Sequence, residues 1–165
     1  SMRNIFNHEN SDTIYYSVNR NLTWSDFKGI PDNNHFGGAV TASGFAYDAE
    51  MNMFENEINL NIWVYIFFNK RSSWKKPNIN SGYHLLHEQR HFDITRISAE
   101  KFCNELVKAN FTLNNYKQLL PSVFDAVFDE HTAMQRAYDR ETQHSINTKE
   151  QLRWNEKIGE EIKKL

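Results

Sequence analysis

One cysteine in 165 residues, Cys103, is too few for an intramolecular disulfide or a cysteine-based zinc site. With three prolines and six glycines, the chain has little of the composition of a linker or a low-complexity segment. Neither sign of charge dominates. Nineteen basic residues stand against twenty-one acidic ones, so no basic stripe argues for nucleic acid. Apolar runs are short. The window Leu60 to Phe68 is only the length of a strand and far below a membrane span. What the chain does have is large core side chains, with 12 Phe, 7 Tyr and 4 Trp, enough for one domain with a real core. That domain is expected over residues 3–165. Ser1-Met2 reads as a cloning remnant, and a trimmed export signal would leave the same start.

The first third carries strand patterns. Thr13 to Val18 is one candidate, and Leu22 to Phe27 reads as a turn that pins Trp24 and Phe27 to the core. Residues 31–38 form a loop with Pro31 and Gly37-Gly38. Ala39 to Tyr47 is expected as one strand. Asn56 to Asn69 is the clearest, because Ile58, Leu60, Ile62, Val64, Ile66 and Phe68 share one parity. Trp63, Tyr65 and Phe67 on the other parity predict a second face that is partly covered.

Beyond residue 82 the period becomes helical. Leu85, Phe92, Ala99, Cys103 and Leu106 draw a core stripe along Tyr83 to Lys108, which makes Cys103 a small buried thiol. A second helix is expected to open near Pro121, with Leu120, Phe124, Val127, His131, Met134 and Tyr138 as its inward seam. A third starts at Thr148, with Gln151 completing a capping box and Trp154, Ile158, Ile162 and Leu165 on one face.

The first of these helices holds His87-Glu88-Gln89-Arg90-His91, which reads H-E-x-x-H. Residues four apart lie on one helix face, so His87 and His91 can hold one metal ion. Glu88 sits beside them, placed to take a proton from a water on that ion. Two imidazoles with a third N or O ligand suit zinc, and a catalytic zinc keeps an open position beyond three protein ligands. Candidates for the third ligand are His144, Glu141, Asp139 and His131. Asp139 could instead orient a ligand histidine. Tyr138 is the candidate donor to a developing oxyanion, with His131 behind it. Asp93 points away from the metal face and suits a structural hydrogen bond. An extended peptide could add to an exposed edge strand, for which Ala39–Tyr47 is the candidate.

Residues 85–94, Leu-Leu-His-Glu-Gln-Arg-His-Phe-Asp-Ile, resemble the bacterial domain-of-unknown-function family numbered nine hundred and twenty-two. Leu22-Thr23-Trp24-Ser25-Asp26-Phe27, Thr41, Ser73-Trp74, Tyr138-Asp139-x-x-Thr142-x-His144 and Gln151-x-x-Trp154 are similar to its other signatures, so the resemblance runs over most of 13–160. The family carries Gly after its last His, where this chain has Ser145. The resemblance implies a zinc-dependent protease, often exported or periplasmic, with one Zn2+ held by His87, His91 and His144 and Glu88 as base. The expected fold is α+β, a small zincin-like domain: a short mixed or antiparallel sheet on a central HExxH helix, closed by two C-terminal helices. The alternatives are a metal-binding module of the same fold without turnover, and a helical interaction domain in which the motif is accidental.

Overall fold

Alternating apolar residues build the first layer of the structure, a computed structural model that describes residues 9–165. Ser1-Met2 lies outside the described residues. Strand β1 (Thr13–Tyr15) pairs antiparallel with β4 (Glu57–Asn69), which pairs antiparallel with β3 (Ser43–Phe54). The sheet order is β1-β4-β3. A second antiparallel pair, β2 (Ala39–Val40) with β5 (Trp74–Lys75), continues the run beyond the excursion at 70–73. Helix α1 (Gly82–Lys108) packs on β3 and β4 with one flank and on α2 (Tyr116–Thr142) and α3 (Thr148–Lys163) with the other. Among the described residues the architecture is therefore α+β, with three α-helices and antiparallel sheets.

The core follows the expected stripes. Phe92, Ala99 and Cys103 are buried on α1. Phe92 joins Ile14, Leu22, Phe27 and Phe68, which ties the N-terminal segment to the helix. Ala99 and Phe102 meet Phe45 of β3 and Leu120 and Val127 of α2. Ile94, Tyr138, Trp154 and Ile158 join the three helices. No helix among the described residues is long and apolar enough to cross a membrane.

Several boundaries differ from the sequence reading, each for a local reason. The first strand stops at Tyr15. The Ala39–Tyr47 strand is broken at Thr41-Ala42, and its second part runs on to Phe54. The β4 strand starts at Glu57 because Glu55 and Asn56 both take positive φ (47° and 69°), forming a two-residue hairpin turn. Helix α2 starts at Tyr116, five residues before Pro121. Asn115 begins it, its carbonyl accepting from the N–H groups of Gln118 and Leu119. Pro121 is exposed, as is Lys117, whose carbonyl the missing N–H leaves to solvent. The cap of α3 is Asn147, whose side chain accepts from Glu150 N–H. Gln151 is therefore not a capping residue, and its side chain is free for another task. Leu165 is half exposed rather than part of the apolar face.

Candidate metal centre

His87 and His91 project from consecutive turns of α1 toward α2 and α3, and both are buried. Their rings stand 4.9 Å apart and nearly perpendicular. Each ring is held from behind by a glutamine. His87 Nδ1 lies 2.7 Å from Gln151 Oε1, and His91 Nδ1 lies 2.6 Å from Gln135 Oε1. The amide orientations are fixed by their other ends. Gln151 Nε2 donates to Tyr138 Oη and Asn155 Oδ1, while Gln135 Nε2 donates to the His91 carbonyl and Thr95 Oγ1. Both Nδ1 atoms therefore donate, and both Nε2 atoms are turned to the opposite side.

There they meet one oxygen. Asp139 Oδ1 lies 3.3 Å from His87 Nε2 and 3.1 Å from His91 Nε2. His87, His91 and Asp139 offer ligand atoms that all lie within 4.8 Å of one another. His144 approaches the same oxygen, with Nδ1 at 3.2 Å, but is not part of that mutual group. Burial alone would push the Asp139 carboxyl up, yet the His87 and His91 bonds hold it far below the ordinary carboxylate range. Burial likewise disfavours charge on His91, but Asp139 overrides it and pushes His91 up to about 9. The arrangement is a negative oxygen ringed by imidazoles, a place suited to a cation.

His144 owes its position to an unusual helix end. Gln143, His144 and Ser145 all take positive φ (50°, 51° and 74°), a left-handed run in which no glycine takes part. The Ser145 carbonyl is latched by Tyr83 Oη at 2.6 Å. A serine at φ 74° is strained, so Ser145→Gly is expected to stabilise the fold by about 1 kcal/mol. A denaturant midpoint that stays put or falls would show that the turn carries no strain.

Glu88 lies next to His87 and is buried as well. Thr41 Oγ1 donates to Glu88 Oε2 at 2.7 Å, and lies 3.2 Å from the Glu88 carbonyl. Two residues further along, Ser43 Oγ meets Thr95 Oγ1 at 2.7 Å, a second tie between strand and helix. Tyr138 stacks on His87 with ring centroids 4.7 Å apart. Its hydroxyl donates to the His87 carbonyl at 3.2 Å and accepts from Gln151 at 2.7 Å.

The opposite side of α1 is anchored by its own network. Asp93 accepts from Tyr16 Oη, Gln89 Nε2 and Arg90, and Gln89 Oε1 accepts from Leu22 N–H. Asp93 is thus a structural acceptor, as its helical angle predicted, and it fixes the rotation of the helix that carries the motif. In front, the 31–38 loop reaches His144. The His35 and Phe36 rings lie 5.9 and 5.4 Å from it. A Cβ on Gly37 would stand 3.3 Å from His144 Nδ1 and 3.2 Å from His35 Nδ1, so a side chain there would crowd both rings.

Two of the four candidate third ligands are occupied elsewhere. Glu141 accepts from Trp154 Nε1 and Arg153. His131 packs against Phe45 and Phe128 with Ser98 Oγ at 3.3 Å, and burial beside His91 lowers it to about 4. The sequence reading missed Gln135 and Gln151 as imidazole supports. A signal was present for each. Gln135 stands one helical turn before Asp139 and one after His131, while Gln151 shares the apolar face of Trp154 and Ile158. A polar side chain on a buried stripe needs a partner.

No curated protein and no solved structure matches the chain. Residues 71–145 match the family described as a bacterial protein of unknown function (DUF922), a narrower stretch than 13–160. That stretch, a little under half of the chain, spans α1, α2 and all of His87, Glu88, His91, Asp139 and His144, and it is where the similarity to that bacterial family lies.

Proposed function

We propose that the chain is a zinc-dependent peptidase of zincin-like architecture, with the ion held by His87, His91 and Asp139. The observation that carries this reading is the orientation of the two imidazoles. Their Nδ1 hydrogens go to Gln151 and Gln135, and their Nε2 atoms converge on a carboxylate oxygen at 3.3 and 3.1 Å. Donor atoms about 2.0–2.1 Å from a tetrahedral zinc stand roughly 3.4 Å from one another, so the spacing fits the ion. When bound, zinc supplies a Lewis acid that polarises a carbonyl and acidifies water.

The chain's own groups supply the rest. Glu88, buried beside His87 and held through Oε2 by Thr41, takes the proton of the attacking water and returns it to the leaving amine. Asp139 serves as third ligand, and His144 Nδ1 stands 3.2 Å from its carboxylate. Tyr138 buttresses His87 through ring stacking and its carbonyl bond. Because that hydroxyl is engaged with His87 and Gln151, Tyr138 suits positioning better than donation to substrate. An extended peptide pairs along the outer edge of β2 and β3, where no strand among the described residues pairs.

The purified chain is expected to take up one zinc and to cleave peptides in a chelator-sensitive way. Metal content by mass spectrometry and a peptide-library digest measure both. A zinc-loaded chain that leaves broad libraries intact would favour a binding-only module of the same fold. A chain that takes up no zinc after reconstitution overturns both readings.

A further inference from the structure

Thr41 occupies the break between β2 and β3, and the main chain around it alternates in a readable way. The Gly38 carbonyl accepts from Lys76 N–H and the Ala42 carbonyl from Asn69 N–H, both at 2.8 Å. Ala42 N–H donates to Ser73 Oγ at 2.9 Å. The even-numbered residues thus turn their main-chain groups toward β4 and β5. With a period of two, residues 39, 41 and 43 turn theirs the other way, toward the unpaired edge. Among the described residues, Thr41 N–H and C=O have no main-chain partner. Its side chain meanwhile runs to α1 and donates to Glu88 Oε2.

We propose that Thr41 is the positioning residue that sets the base against the substrate. Its main-chain N–H and C=O take up an extended peptide, while its hydroxyl holds the Glu88 carboxylate. One residue then fixes the distance between the two reacting partners. With Oε2 engaged by Thr41, Oε1 is the oxygen that receives the proton. The proposal rests on the peptidase reading above. It adds something the motif does not contain: the base is aimed from the strand that binds the peptide.

Thr41→Val and Thr41→Ser test it. Val keeps the β-branch and the main chain but removes the hydroxyl, whereas Ser keeps the hydroxyl. Val is expected to lower kcat on the order of 10- to 100-fold, the effect of a misplaced catalytic group. KM, zinc content and Tm should stay near those of the parent, and Ser should restore most of kcat. A crystal structure of the Val variant is expected to show the Glu88 carboxylate displaced. Parental kcat in the Val variant, equal impairment in both variants, or loss of zinc from the Val variant overturns the proposal. If the parent chain cleaves no peptide, the peptidase reading fails and takes the substrate half of the proposal with it. The Glu88 carboxylate in the Val crystals then decides the clamp by itself, and an undisplaced carboxylate overturns it.

Discussion

Glu88→Gln is expected to lower peptide turnover by about 10²- to 10⁴-fold, the range for loss of a general base, while the chain keeps its zinc. The amide has the shape of the carboxylate, and its oxygen can still accept from Thr41 Oγ1. His87, His91 and Asp139 are untouched, so the metal centre has no reason to change. What is lost is the ability to hold a proton between attack and departure of the amine. Steady-state kinetics beside metal analysis check both halves. A variant that retains more than a tenth of parental turnover would remove Glu88 from the mechanism. One that loses its zinc would make Glu88 a structural support of the site.

The second large effect separates the two residues that compete for the third ligand position. Asp139→Ala is expected to weaken zinc binding by more than about 100-fold, and His144→Ala by about 10- to 100-fold, the range for a supporting partner. The order follows from the geometry. Asp139 Oδ1 lies within 3.3 Å of nitrogens from His87, His91 and His144. Removing it leaves only two ligands facing each other across a gap. Removing His144 takes away an imidazole that stands 3.2 Å from the carboxylate and leaves the triad. The Asp139 side chain is half-buried near the end of α2, so its loss opens no core cavity. Competition with a chromogenic chelator gives both affinities. The reverse order would make His144 the ligand and Asp139 the acceptor that orients it.

The parts of this site that could be read from the sequence are those set by local spacing. His87 and His91 are four residues apart on one helix with Glu88 between them, and the stripe through Phe92 and Ala99 gives the helix its buried side. The β4 strand shows itself through one parity of apolar residues. What stayed hidden depends on tertiary contacts between distant segments. Gln151 fits the spacing of a capping box behind Thr148, and only the packing of α3 on α1 turns it toward His87 instead. Asp139 and His144 both stand near the end of α2 with ligating atoms, and only the left-handed turn at 143–145 decides which lies nearer the imidazoles. Thr41 interrupts a strand that its neighbours alone would continue. The start of α2 is not legible either, because Pro121 suits a first turn while Asn115 begins the helix six residues before it.

The tie between Gln151 and His87 bears on how portable this chemistry is. Residues 71–145 contain every group proposed to touch the ion or move the proton, but not every group that positions them. The support of one imidazole comes from beyond that stretch, in α3, and the hold on Glu88 comes from before it, at Thr41. Grafting the stretch onto another scaffold would transfer the ligands without the parts that aim them. A duplicated or recombined gene would have to carry both flanks to inherit the proposed activity.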